Sequence, residues 1–239
     1  MKNGTNLGDL EDTKARSIIP VELNCFYAQN ARILSHYHQE LLGDTEKSQN
    51  FAKMADILTE AVEEVLWHEE DGIWYDYEIS SGQSRTYFTP SNLVPLWTET
   101  FSSQNRDRMS QRAVEYLAGQ NFINLPGGLT TTYSPTGQQW DYPNCWPPLE
   151  HMVVQGLEKT KLPQAQNLAF EIAEKRVRCA YLNFLSKGHM FEKYDATSTT
   201  RIGSGGEYEV QLGFGWTNGV ILDFLDMYSD RLTTENLNL

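Results

Sequence analysis

The chain predicts an all-α fold built of helical hairpins, with long loops gathered at one mouth. Three observations carry this. Apolar residues recur at helical spacing in paired segments whose joints are only two to four residues long. Two stretches, 119–148 and 187–214, are rich in residues that suit loops and are longer than ordinary connections inside a compact domain. There is no strand-rich half and no βαβ alternation, which argues against a Rossmann fold or a TIM barrel. No repeat of fixed period occurs, so the order of elements, and not repetition, supports hairpins stacked into a toroid.

Residues 1–19 read as a polar lead-in, and Pro20 suits a first helical position. Leu23, Phe26, Ile33, Leu34, Tyr37 and Leu41 then approximate the buried stripe of a helix that ends at Gly43. Asp44 or Thr45 can cap a second helix, whose inner face carries Phe51, Met54, Leu58, Ala61 or Val62, and Val65 or Leu66. Residues 67–77 alternate apolar and polar around Asp71-Gly72, the pattern of a short hairpin or irregular loop. Helices are expected over 93–101 and 106–117. Pro147 and Pro148 open a fifth helix through Leu157. A sixth runs over 163–185, with Ala165, Leu168 or Ala169, Ile172, Arg176 and Cys179 along one side. Thr217 or Asn218 caps the last helix, with Val220, Phe224 and Met227 facing inward, and 233–239 form a tail.

Composition narrows the function. Across 239 residues, Lys plus Arg number 19 against 32 Asp plus Glu, a net charge of −13. That excess disfavours nucleic acid or an anionic membrane as partner and suits a neutral substrate. Cys25, Cys145 and Cys179 have no zinc-like spacing and read as small buried apolar groups. The five histidines are scattered, so neither a metal nor another cofactor is expected. No apolar run approaches a transmembrane helix, and the N-terminal residues lack the apolar core of a signal peptide. Asn3-Gly-Thr5 is a glycosylation sequon.

The chemistry concentrates in three loop patches, 136–148, 191–195 and 203–218. The first sets Trp140, Tyr142 and Trp146 among Gln138, Gln139, Asp141 and Asn144, stiffened by prolines. Flat aromatic faces beside amides and carboxylates suit a ligand with apolar faces and a hydroxylated rim, which is the chemistry of a sugar. Taken alone, Trp146 reads equally as a core tryptophan, and Asp141 as a brace for backbone N–H groups. Glu192 read alone is a solvated surface carboxylate between Phe191 and Lys193. Glu207 follows Gly205-Gly206, where glycines allow positive φ and close backbone approach. No Lys-Ser or Lys-Thr follows those glycines, so they make a poor phosphate loop. Glycoside hydrolysis asks for two carboxylates, ~6.5–9.5 Å apart in inverting enzymes and ~5–5.5 Å in retaining ones. Glu192, Glu207 and Asp141 are candidates, and composition does not choose among them.

The string Gln139-Trp-Asp-Tyr-Pro-Asn-Cys-Trp-Pro-Pro148 closely resembles a signature of the trehalases, inverting glycosidases that split trehalose into two glucoses. The order of the later motifs resembles that family too: Glu192-Lys-Tyr-Asp195, Gly203-Ser-Gly-Gly-Glu-Tyr208, and Gly213-Phe-Gly-Trp-Thr-Asn-Gly-Val220. The match looks closest to animal trehalases and runs from about residue 17 to 232. It implies part of an (α/α)6 barrel, with Glu192 as the general base that activates water. It further implies that Trp146, Glu207, Gln139 and Phe214 contact a bound trehalose or similar disaccharide. Cys145 and Ser204 stand where the family usually has other small residues. The family's upstream Pro-Gly-Gly-Arg-Phe and Trp-Asp-Phe-Ser-Ser-Arg-Trp signatures, the second bearing the catalytic acid, do not occur here. The resemblance therefore implies a missing N-terminal half, an exposed apolar seam and little stand-alone activity. It also leaves open a non-catalytic sugar-binding or regulatory paralogue.

Overall fold

A computed structural model describes residues 14–206 and 208–233. Asn3, most of the lead-in, Glu207 and the tail from 234 lie outside the described residues. Within the stretch 20–232, read from sequence as one portion of a catalytic domain, the chain divides into two compact units: residues 1–87 with 91–116, and residues 88–90 with 117–239.

In the first unit, α1 (Val21–Glu40) and α2 (Thr45–Leu66) form a helical hairpin. The Asp44 carboxylate caps α2 by accepting from the Lys47 N–H at 3.0 Å, as its residue type suggests. Pro20 takes the capping position of α1, one residue outside the helix. Asp76, from a distant hairpin, accepts the Val21 N–H at 2.9 Å.

The buried face of this hairpin differs from the expected stripe. Val21, Cys25, Ala28 and Ala31 face inward on α1, and Ser48, Ala55, Val62 and Leu66 on α2. Leu23, Ile33, Leu34, Tyr37 and Leu41 are exposed, Leu41 by 73%, as is Met54, whereas on α2 the expected alternatives Val62 and Leu66 are buried and Val65 is not. The reason is steric. Small residues let two helix backbones approach closely, as Ser35 donating to the Ser48 carbonyl at 2.9 Å illustrates. The larger side chains are then turned away as an uncovered apolar stripe.

Trp67–His68 (β2) and Ile73–Trp74 (β3) pair as the expected hairpin, with Gly72 at φ +72°. Ile18–Ile19 (β1), at the end of the lead-in, Tyr77–Glu78 (β4) and Gln83–Ser84 (β5) form an antiparallel sheet in the order β1-β4-β5. The third helix, α3, spans only Val94–Thr98. It stops three residues short of expectation because Glu99 turns to φ +53°, while Arg32 takes the freed Thr98 carbonyl at 2.5 Å. The fourth, α4, is Arg106–Ala118.

The second unit holds α5 (Pro147–Thr160), α6 (Pro163–Lys187) and α7 (Gly215–Met227). Prolines open α5 and α6, where a missing N–H costs nothing. The inner side of α6 is the expected one, with Ala165, Ala169, Ile172, Arg176 and Cys179 buried. Thr217 does not cap α7. The helix begins two residues earlier, and the Thr217 hydroxyl points inward to donate to the Phe191 carbonyl at 2.7 Å. Asn144–Cys145 (β6) and Tyr194–Asp195 (β7) pair antiparallel, joining the two long loops. Beneath that ladder, Cys145, Cys179, Ala180, Phe191, Tyr194, Ala196 and Ile221 form one apolar cluster.

Arg176 and Glu150 lie in the same interior with no exposed side-chain surface, Nε to Oε2 at 2.5 Å. Arg176 Nη2 also donates to the Gly127 carbonyl at 2.9 Å and contacts Cys145 Sγ at 2.8 Å. The three cysteines are free and buried. Among the described residues no helix is long and apolar enough to cross a membrane, and no cluster of three or more His, Cys, Asp or Glu is placed to hold a metal.

Candidate functional site

The β6–β7 ladder brings the three patches together within the second unit. The loop before β6 is stiffened from inside. Asp141 accepts from the hydroxyls of Thr132 at 2.8 Å and Thr136 at 2.5 Å. It is therefore a brace, as its surroundings suggest, but through threonine hydroxyls and not backbone N–H groups. Trp146 is 1% exposed, and its indole N–H donates to the Gln139 carbonyl at 3.0 Å. Trp140 stacks on it face to face at 3.8 Å and 5°, and is itself 45% exposed. The aromatic face that reaches the surface is thus that of Trp140, with Trp146 behind it. Trp216 meets Trp146 edge-on at 5.6 Å, and Phe214 lies 4.5 Å from Trp216.

Glu192 is 3% exposed, not the solvated carboxylate its immediate neighbours suggest. Its backbone is held on both sides. The N–H donates to the Gln211 carbonyl at 3.1 Å, and the carbonyl accepts from the Trp216 indole at 2.9 Å. Of its carboxylate oxygens, Oε1 accepts the Tyr208 hydroxyl at 2.9 Å. Oε2 is buried without a hydrogen-bond partner among the described residues. A buried carboxylate oxygen left unpaired is costly, and such an exception asks for a functional reason.

Lys193 is fully buried behind the same wall. Its ammonium donates to Gln139 Oε1 at 2.8 Å and to the Gly205 carbonyl at 3.1 Å. It also lies 5.1 Å from the centre of the Trp146 ring and 5.7 Å from that of Tyr208. Burial lowers its pKa, and the neighbouring Glu192 charge opposes that shift. One cation therefore ties together the amide of the first loop, the bend that carries Glu192 and the glycine-rich segment.

That segment needs its glycines for space. A Cβ on Gly203 would sit 2.7 Å from both Asn144 Oδ1 and Lys193 Cγ, and one on Gly205 would sit 2.5 Å from the Gly137 carbonyl. The Ser204 N–H reaches Asn144 Oδ1 at 2.8 Å across this close approach.

Of the residues singled out by sequence, Gln139, Trp146, Glu192 and Phe214 are linked through these contacts, while Glu207 lies outside the described residues. Reasoning from sequence passed over Tyr208, Lys193 and Trp216 as contributors. Each is one or two places from a residue it did select, so motif membership was the available signal. Asp141 and Asp195 are already engaged, the latter by Arg201 at 3.1 Å and the Thr197 hydroxyl at 2.6 Å. The arrangement can therefore take a proton at Glu192 Oε2, beside an aromatic and amide wall suited to a sugar ring.

A family profile described as "Trehalase" matches residues 1–229. The chain is 46% identical to a trehalase of Apis mellifera over 98% of its own length and 37% of that protein's. It is 38% identical to a trehalase of Homo sapiens over 97% of its length and 39% of that protein's. The chain thus spans about two fifths of the length of these curated relatives. Among solved structures it is similar to neutral trehalase Nth1 from Saccharomyces cerevisiae, with TM-score 0.68 and 20% identity over 88% of this chain and 38% of that one. A GH63 mannosylglycerate hydrolase from Thermus thermophilus in complex with glucose matches with TM-score 0.60 and 18% identity, covering 88% of this chain and 48% of that one. These two likenesses place the fold in the all-α, (α/α)6 class that the sequence motifs implied.

Proposed function

Because the chain belongs to the trehalase family, we propose that it supplies the base-bearing side of an inverting glycosidase site that splits α,α-trehalose into two glucoses. The observation that carries this is Glu192, buried, held by Oε1 and left with an unpaired Oε2. A water bound at Oε2 loses its proton to the carboxylate as its oxygen attacks the anomeric carbon. The glycosidic C–O bond breaks on the opposite face, and the departing glucose oxygen takes a proton from a second carboxyl group. Trp140 over Trp146, with Gln139, Glu207 and Phe214, contacts the sugars.

Asp141 and Asp195 are engaged in bracing their own loops, and Glu207 is read as a sugar contact, so we assign the acid to the remaining length of the family's fold. That part would also cover the uncovered stripe on α1. Losing a general acid costs about 10²–10⁴-fold in rate, and losing the positioning of the substrate costs more. A non-catalytic sugar-binding paralogue is disfavoured, because such a protein has no use for a buried, unpaired base.

The test has two arms. The purified 239-residue chain should release little or no glucose from trehalose. Exchanged for the matching stretch of the Apis mellifera enzyme, it should support turnover that Glu192→Gln abolishes. Robust hydrolysis by the chain alone, lost in Glu192→Gln, would place the acid within the chain. An inactive but folded exchange protein would overturn Glu192 as base.

A further inference from the structure

We propose that Tyr208 is a positioning residue for the base: its hydroxyl holds Glu192 by Oε1 and so assigns the proton transfer from water to Oε2. This rests on the reading of Glu192 as the base. The two oxygens of a free carboxylate are equivalent and exchange by rotation about the last side-chain bond. Here the backbone of Glu192 is held by Gln211 and Trp216 and its side chain is packed in the interior, so rotation of the carboxylate about its last bond is the motion that would interchange the two oxygens. The Tyr208 hydroxyl, 2.9 Å from Oε1, restrains it. An ionised carboxylate has no proton to give, so the phenol is the donor. The oxygen it leaves alone is the buried, unpaired one.

Tyr208 is 47% exposed, yet it is seated from behind. The Lys193 ammonium lies 5.7 Å from its ring centre and is tied to the Gly205 carbonyl three residues before it. A Cβ at Gly206 would sit 2.7 Å from Gln139 Oε1, so this backbone lies directly on the first loop. Consistent with donation, the hydrogen bond to Glu192 raises the Tyr208 phenol above its ordinary pKa. The glycine-rich segment thereby acts on the base as well as lining the sugar site.

The hydrogen bond is tested in the chain itself, with tyrosine labelled at the phenolic carbon for NMR and the signal assigned with Tyr208→Phe. Glu192→Gln should move the ionisation of that phenol to lower pH, and an unmoved titration would overturn the contact. Catalysis is tested in the exchange with the Apis mellifera enzyme. Tyr208→Phe should lower kcat about 10- to 100-fold, the scale of one hydrogen bond to a charged group. KM should change by less than about two-fold and the melting temperature should hold. In a Glu192→Gln background the second substitution should add nothing. An unchanged kcat, or an effect that persists without Glu192, would overturn the proposal. If the unsubstituted exchange protein were inactive, the reading of Glu192 would fall, and the phenol titration would still decide whether Tyr208 holds it.

Discussion

Arg176→Met is the perturbation with the clearest arithmetic. Arg176 and Glu150 form an ion pair with no exposed side-chain surface and a 2.5 Å contact. The guanidinium also serves the Gly127 carbonyl at 2.9 Å and lies 4.7 Å from the centre of the Tyr194 ring. Methionine roughly preserves the stem but leaves the Glu150 carboxylate with one remaining donor, the Leu129 N–H at 2.6 Å. Breaking a buried pair by removing one member costs about 3–5 kcal/mol. For a chain of this size that is a drop of roughly 6–20 °C in melting temperature.

Protonation limits the loss. Burial already pushes the Glu150 carboxyl up, and the Arg176 charge opposes it, so deleting the arginine leaves burial unopposed. A carboxyl whose folded pKa lies above its unfolded value stabilises at low pH and loses that stability as pH rises through the folded pKa. The penalty of Arg176→Met should therefore shrink as pH falls from about 7 toward about 5. Thermal melting, with hydrogen exchange of α5 and α6 amides to localise the transition, measures it. The double variant Glu150→Leu/Arg176→Met should recover most of the loss. A penalty under about 1 kcal/mol, or a double variant as unstable as Arg176→Met, would refute the reasoning.

Two further outcomes follow from the geometry. Gly205→Ala combines φ +77° with a Cβ 2.5 Å from the Gly137 carbonyl, a cost of about 1–3 kcal/mol. Hydrogen exchange should accelerate locally at 137–139 and 204–206, while distant helices keep their protection. Burial pushes the Cys25 thiol up to about 12, whereas an unfolded thiol ionises near ~8.5. Above that pH the unfolded state releases a proton that the folded state keeps, so stability should fall by up to about 1.4 kcal/mol per pH unit. Urea midpoints measured from about pH 8 to about pH 10.5 should show this slope flattening in Cys25→Ala.

The helical hairpins were legible because amphipathic spacing is a local property. Along α6 the stripe from Ala165 to Cys179 is the buried one, as its spacing suggests. On α1 spacing favours the larger residues, yet the face of Val21, Cys25, Ala28 and Ala31 is the buried one, and small residues of this kind are what allow a helix to pack closely on its neighbours. Thr217 illustrates a related failure. A threonine near a helix start is a reasonable cap by type, yet its hydroxyl is claimed by Phe191, which is far away in sequence.

The loop 136–148, the Glu192 motif and the glycine-rich segment were identifiable from sequence because the family resemblance lies in residue identity and order. That alone determined the all-α class, the family and the residues available for chemistry. Tertiary structure decided where each of them sits and what it touches. It put Trp146 behind Trp140, made Asp141 a brace, and buried Glu192 with one oxygen held and the other free. Desolvation and pairing depend on groups brought from some 16 to 54 positions away, Tyr208 to Glu192 and Gln139 to Lys193, and no local pattern encodes them.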